Sequence, residues 1–524
     1  MRVVRKSSKD AAPQAKPASG AVTVRMYRGL LGGCFLLRFP RAERDMFVLM
    51  GDGTFLNVPR EADTMRRVAE SIGETTDWRL DVVVLTHEHW GNLCGFAHAA
   101  DILGRIATDE LWLAWTEDRD DELARTLRKQ RETARAILTA AHENMPAPAP
   151  PDDGETLGDD LGRGMIEQVL EFLGHGSHSG HGEPGDLKLP STDAIIQGLK
   201  DRAGKVRYLS PGDELTLVPG AMPAQAYVLG PPRDEEPFRR SSPSGKRQGV
   251  YRLTQDVEAQ TAYLVAAAKA SRLRLEGQDD DVMDQDFESN LPFDRRYMQA
   301  ITGLRDPASD VPPWVARLGE AYLDPASGWR RIDHDWLGAA EQLALKLDSD
   351  ANNTSLALAF EIGRPGKVLL FPGDAQAENW LSRSSCRRPK GAGQDDTTAI
   401  GIRDLLARTV LYKVSHHGSH NATPYGRGAL RAQGLELMTH RDLVAMIPID
   451  ESFARGAKKR NMPFPPLLER LKERTRGRIL RGDRPSSESL EASREKLPKA
   501  EWETFSRSVT EDPSGLFVEY SVAF

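Results

Sequence analysis

Short apolar runs alternate with amphipathic ones along the chain, and the pattern predicts strands and helices in mixed order. "VTVRMYRGLLGGCFLLRF" followed by "DMFVLMGDGTF" predicts paired strands, the second ending at Gly51-Asp52-Gly53. "READTMRRVAESI" has helical spacing, and "DVVVLTHEH" is a β-branched run of the kind buried on both faces of a sheet. "DELWLAW" precedes a long charged helix, "EDRDDELARTLRKQRETARAILTAAHENM", which gives way to the proline-rich loop "PAPAPPDDGE". Strands return at "VRYLSPGDELTLV" and "AQAYVLGPP", before a long stretch rich in charge and weak in period, as a surface insertion would be. "TSLALAFEI" and "GKVLLF" then lead into "PGDAQAENWL", a turn and a helix carrying Glu378 and Trp380. "TVLYKVSHHGSHNATP" repeats the arrangement of a strand and a polar turn. "DLVAMIPI", the helix "PPLLERLKERT" and a strand "GLFVEYSV" complete the pattern, which contains no internal repeat.

Composition narrows the class. A chain of 524 residues, 39% hydrophobic and 28% charged, has the make-up of a globular protein with polar insertions and is long enough for more than one domain. A net charge of −7 argues against a general basic field for nucleic acid but leaves room for a local groove. Lys458, Lys459 and Arg460, with Arg474, Arg476, Arg478 and Arg481, form such a local basic cluster, more often a solvated surface than a phosphate-backbone site. Residues 1–20 read as a disordered basic tail, without the apolar core of a secretory signal. No later stretch reaches the ~18 consecutive apolar residues of a membrane span. Cys34, Cys94 and Cys386 form no disulfide framework and no CxxC pair, so a reducing, cytoplasmic location is expected.

The candidate chemistry stands at strand ends. His87 and His89 follow one strand, Asp374 another, and His416 and His417 a third, where binding residues on a rigid sheet concentrate. In an extended segment side chains alternate, so the two imidazoles of His87 and His89 point one way and Glu88 the other.

"THEHWGNLCG", "NNTSLALAF", "LLFPGDAQAENWL" and "LYKVSHHGSHNAT" resemble the successive motifs of the metallo-β-lactamase fold, particularly the branch containing the hydrolase domain of the DNA-uptake protein ComEC. The resemblance implies an α/β fold, an αββα sandwich with metals at one edge between two sheets. It would span residues 21–524 as a single domain, with large helical and loop insertions near 116–205 and 233–351. That family's signature is HxHxDH, whose later Asp-His pair serves a second metal. Here those positions are Gly91 and Asn92. Asp52 matches the early aspartate that orients the site, Asp374 the carboxylate that bridges metals, and His417 the last ligand histidine, with His416 placed for proton transfer. The family's middle histidine has no match: "YVLGPP" around Gly230 offers none.

The resemblance thus implies His87, His89, Asp374 and His417 around one zinc ion, with Mn or Fe as alternatives for the same donor set. The expected function is a metal-dependent hydrolase using metal-activated water, a phosphodiesterase or nuclease-like enzyme in substrate class. The alternative is a catalytically degenerate protein of this fold that acts as a binding or regulatory module, with its insertions as a protein-partner surface. Other residues carry less. His175, His178 and His181 sit among glycines in linker-like sequence, and "QDDDVMDQDFES" lacks the glycine turn and closing glutamate of an EF-hand loop. Trp112 and Trp115 read as core aromatics rather than a base-stacking platform, and His98 as a partly buried structural histidine. His420 reads as a solvated turn residue. Asn352 and Asn353 are expected to bond neighbouring backbone.

Overall fold

A computed structural model describes residues 20–29, 33–52, 59–143, 190–220, 223–233, 349–363, 365–376, 401–420, 434–456 and 462–524, with a few isolated positions between these segments. The strands are β1 (Ala21–Tyr27), β2 (Gly33–Phe39), β3 (Met46–Asp52), β4 (Arg79–Leu85), β5 (Ala107–Ala114), β6 (Lys205–Leu209), β7 (Glu214–Val218) and β8 (Ala224–Gly230). β9 (Ala357–Gly363), β10 (Gly366–Phe371), β11 (Thr409–Lys413), β12 (Val444–Ile447), β13 (Ile479–Arg481), β14 (Val509–Glu511) and β15 (Phe517–Ala523) follow. They form an 8-stranded sheet in the order β14-β15-β1-β2-β3-β4-β5-β6 and a 7-stranded sheet in the order β13-β12-β11-β10-β9-β8-β7.

Both sheets are mixed, which makes the fold α/β. β3 to β6 run parallel in the first sheet, and β10 to β13 run parallel in the second. The last strand returns to the first: β15 pairs antiparallel with β1 from Ala21↔Ala523 to Tyr27↔Phe517.

The alternation of side chains explains the layering. Along β2, Phe35, Leu37 and Phe39 point to one face, and along β9, Leu358, Phe360 and Ile362 do the same; all belong to one core cluster between the sheets. Edge-to-face aromatic contacts cross it, with the rings of Phe35 and Phe371 5.5 Å apart and those of Phe360 and Phe371 5.8 Å apart. The other faces are covered by helices. Leu49, Val83 and Leu85 pack under α1 (Pro59–Thr76), α2 (Trp90–His98), α3 (Ala100–Leu103) and α5 (Thr192–Arg202), whose apolar positions include Val68, Ile72, Leu93 and Ile196. On the far side, Leu370, Tyr412 and Ala445 pack under α6 (Ile402–Ala407) and α8 (Pro465–Arg474) through Leu405, Leu467 and Leu471. Strands covered on both faces read as the continuous apolar runs seen in "DVVVL" and "GKVLLF".

α4 (Glu122–Glu143) and α5 both lie inside the stretch 116–205. α5 is part of the layer that covers the first sheet, because Ile195, Ile196 and Leu199 supply an apolar stripe at helical spacing. The segment "VRYLSPGDELTLV" contains two strands of different sheets. β6 ends one sheet, the chain turns with Asp213 N–H bonded to the Ser210 carbonyl at 3.0 Å, and β7 begins the other. The remaining helices are α7 (Glu451–Gly456), α9 (Ser486–Arg494) and α10 (Lys499–Ser508). Among the described residues no helix is long and apolar enough to cross a membrane.

Candidate functional site

The carboxyl ends of β4, β10, β11 and β12 meet along one edge where the two sheets touch. The join is explicit: the Leu356 amide at the start of β9 donates to the Thr86 carbonyl just past β4 at 2.6 Å. Beyond Thr86 the chain bends, with the His89 amide bonded to the His87 carbonyl at 3.1 Å. This replaces the extended segment expected from sequence, yet the outcome for the side chains is the same. The rings of His87 and His89 lie 5.4 Å apart with 27° between their planes. Glu88 turns away and accepts from Thr192 Oγ1 at 3.0 Å. Gly91 and Asn92 fall in the first turn of α2, which His89 precedes.

Two hydroxyls, of Ser355 and Thr86, hold His87 at Nδ1. Ser355 Oγ donates to the Asn352 carbonyl at 2.6 Å, so its single hydrogen is used. The same oxygen accepts from the Asp374 amide at 3.0 Å and lies 3.1 Å from His87 Nδ1. Thr86 Oγ1, which also reaches the Gly51 carbonyl at 3.4 Å, lies 3.0 Å from the same Nδ1. The Ser355 contact favours a proton on Nδ1, which leaves Nε2 as the lone-pair nitrogen. Burial pushes the His87 pKa down to about 3, against the raising field of Asp374 and with the lowering fields of His89, Lys413 and His416. The ring is neutral, the form a metal ligand needs.

The second sheet supplies the other half. Asp374 follows β10 in a turn where Gly373 has φ +61, and a Cβ on Gly373 would stand 2.7 Å from the Ser355 Cβ. Only glycine fits that close approach. Ser415 Oγ ties this turn to the end of β11 through the Gly373 and Ala375 carbonyls, at 3.1 and 2.7 Å. His416 and His417 follow with φ of 43° and 54°. Two successive non-glycine residues in the left-handed region are strained, at a cost of order 1–3 kcal/mol each, and such strain concentrates at functional sites.

His417 Nδ1 lies 2.8 Å from the Pro448 carbonyl, an acceptor only, so Nδ1 carries a proton and Nε2 faces outward. That Nε2 is 3.5 Å from Asp374 Oδ2. A neutral nitrogen lone pair and a carboxylate oxygen at this separation repel unless a proton or a cation lies between them. His416 Nδ1 stands 3.1 Å from Ser419 Oγ, and its ring centroid is 5.8 Å from that of His417.

Lys413, which sequence reasoning missed, belongs to this group. Its side chain is 1% exposed; Nζ donates to the Gly373 carbonyl at 2.9 Å and pairs with Asp374 Oδ1 at 3.2 Å. Burial alone would raise the Asp374 pKa; the Lys413 ammonium and then His417 hold it well below the usual carboxylate range. A lysine inside the apolar strand "TVLYKV" was the available signal, since lysine is almost never fully buried unless paired. Ser355 and the Pro448 carbonyl left no comparable signal.

The structure thus brings His87, His89, Asp374, His416 and His417 to one edge. Asp52 ends β3 beside β4, with Gly51 opposite Leu85, and its side chain lies outside the described residues. His175, His178, His181, Glu378, Trp380, the acidic stretch and Lys458 to Arg460 also lie outside them. His98 is half-buried, and His420 is exposed, with its ring 6.0 Å from Phe464. Trp112 and Trp115 are core residues; Trp115 Nε1 donates to the Pro231 carbonyl at 2.9 Å. Asn353 Oδ1 accepts from the Gln376 amide at 3.3 Å, as expected, whereas the Asn352 amide group is buried without a hydrogen-bond partner among the described residues. The C-terminal arginines are engaged within the protein. Arg474 donates to the Met438 carbonyl at 2.7 Å, Arg476 pairs with Glu501 at 2.9 Å, Arg478 is buried, and Arg481 pairs with Glu451 and Asp483 at 2.7 Å.

Among the described residues, no three histidine, cysteine, aspartate or glutamate side chains stand close enough together to hold a metal ion as placed. The donor chemistry nevertheless fits one. Both His87 and His417 have Nδ1 committed to an acceptor and Nε2 as the donor atom, and the 3.5 Å between Asp374 Oδ2 and His417 Nε2 suits an ion at about 2.0–2.2 Å from each. Comparison of the chain with protein-family models, curated proteins and solved structures gave no match.

Proposed function

We propose that this chain is a metal-dependent hydrolase of metallo-β-lactamase type, with one zinc ion held by His87, His89, Asp374 and His417. The observation that carries the reading is that Ser355 and the Pro448 carbonyl engage Nδ1 of His87 and of His417, so that Nε2 is the remaining donor atom of each ring at the edge where Asp374 stands ionised. Orientation by a partner on the other ring nitrogen is the usual support of a ligand histidine. When bound, such an ion lowers the pKa of a water molecule to about 7 and polarises the scissile group.

The chain's own residues then divide the work. Lys413 keeps Asp374 ionised and fixed through Oδ1, leaving Oδ2 for the ligand role. His416, anchored at Nδ1 by Ser419, presents Nε2 for moving a proton to or from the leaving group. Phosphodiesters are the substrate class to test first, on the likeness of "LYKVSHHGSHNAT" to the ComEC-type motif. The test is turnover of bis(p-nitrophenyl) phosphate by the zinc-loaded protein and by Asp374→Ala. Loss of turnover with an unchanged circular dichroism spectrum is expected; unchanged turnover contradicts the assignment.

A second reading, a binding module that kept the sheets and lost the metal, is favoured by Gly91 and Asn92 in place of the second-metal ligands and by an ammonium already paired with Asp374. Under that reading Asp374→Ala leaves partner binding intact.

A further inference from the structure

Behind the loop that carries His87 and His89 lies a buried ionic network that the reading above does not use. Glu88 projects from the loop away from the two imidazoles, and its Oε1 accepts from Thr192 Oγ1 at the start of α5 at 3.0 Å. Its Oε2 stands 3.7 Å from the Arg131 guanidinium of α4. The same guanidinium nitrogen is 3.7 Å from Glu117 Oε1, and Glu117 Oε2 accepts from Arg128, one turn earlier on α4, at 3.2 Å. Arg128 also pairs with Asp193 at 3.5 Å, and Lys200 Nζ donates to the Glu117 carbonyl at 3.4 Å. Four segments therefore converge on one place: the histidine loop, the turn at Glu117, α4 and α5. A cavity of about 20 Å³ lies among Glu88, Arg128, Arg131, Glu132, Arg135 and Asp193.

We infer that Glu88 and Arg131 are a positioning pair: gripping Glu88 from behind sets the spacing and direction of the His87 and His89 rings. The geometry gives the reason. The loop bends within two residues, so a rotation of the Glu88 backbone swings His87 and His89 relative to each other. Glu88 is the side chain between them with a fixed partner on a helix, and it is half-buried, so releasing it costs both a hydrogen bond and the compensation of a partly desolvated charge. Glu117 keeps Arg131 in place when the loop moves, which makes α4 the fixed frame.

This inference rests on the proposed metal site for its consequence, and its test is readable without metal. The full chain, labelled at histidine with ¹⁵N, is prepared metal-free as wild type, Arg131→Met and Thr192→Val, the last removing the direct bond to Glu88 with a side chain of the same shape. The ring resonances of His87 and His89 are expected to move in both variants while those of His416 and His417 stay. Zinc affinity, measured by competition with a chelator, is expected to fall about 10–100-fold, the usual loss when a supporting partner of a metal ligand is removed. Arg131→Lys should recover part of it. Unmoved His87 and His89 resonances with zinc affinity within about two-fold of wild type overturn the inference, and so does equal movement of all four rings, which marks general loosening. If wild type takes up no zinc, the hydrolase reading fails, and the ring resonances still decide the positioning pair.

Discussion

Lys413 is the residue on which the site's electrostatics turn. An ammonium and a carboxylate, both nearly inaccessible, meet at 3.2 Å beside a histidine that also faces the carboxylate. Removing one partner of a buried pair leaves the other uncompensated and costs about 3–5 kcal/mol. Lys413→Met is therefore expected to lower the unfolding free energy by that amount in urea titrations. Adding Asp374→Asn should return a good part of the loss, and equal losses in the single and double variants would contradict the pairing. At this scale the sequence was half legible. His87, His89, Asp374, His416 and His417 were visible as polar groups at strand ends. Lys413 was visible only as an oddity in an apolar strand. Ser355 and the Pro448 carbonyl, which hold Nδ1 of His87 and of His417, could not be read, because a serine and a peptide carbonyl acquire their roles only when distant segments meet.

Among elements, strands buried on both faces were the most legible, because "DVVVL", "ALAFEI" and "GKVLLF" carry uninterrupted apolar runs that no surface helix could hide. Their partners were not. Nothing in "VRYLSPGDELTLV" distinguishes two strands of one hairpin from the last strand of one sheet and the first of another. The difference lies in which face of the core each must cover. The segment 116–205 is an insertion by the family resemblance, and within it Ile195, Ile196 and Leu199 of α5 help to seal the first sheet. The bend at His87–His89 is a third case. Alternation predicted that the two rings would share a side and Glu88 would oppose them, and this holds although the backbone is turned rather than extended.

Across the whole molecule, folding buries acidic groups whose ionised forms water would otherwise solvate. Burial raises the Cys34 thiol from 9.0 to about 12 and, chiefly by the same cause, the Tyr520 hydroxyl from 10.0 to about 12. Below pH 9 both groups hold their protons in the folded and the unfolded chain, and the stabilisation tied to their raised values is fully present. As pH rises from about 9 towards 12 the unfolded chain ionises first, so that contribution is lost. Stability is expected to decline through this window, and Cys34→Ala should flatten the decline; an equally steep fall in the variant, followed by urea midpoint against pH, would contradict the assignment to Cys34.

The arrangement of both sheets directs their parallel strands to one edge, and the central claim is that this edge holds a single metal ion. The direct measurement is metal stoichiometry by elemental analysis, on protein purified without added metal and again after zinc is supplied, for wild type and a His87→Ala, His89→Ala double variant. One equivalent in wild type, lost in the double variant with its fold retained, is the expected result; no metal in either protein after zinc is supplied, or two equivalents in wild type, would contradict it.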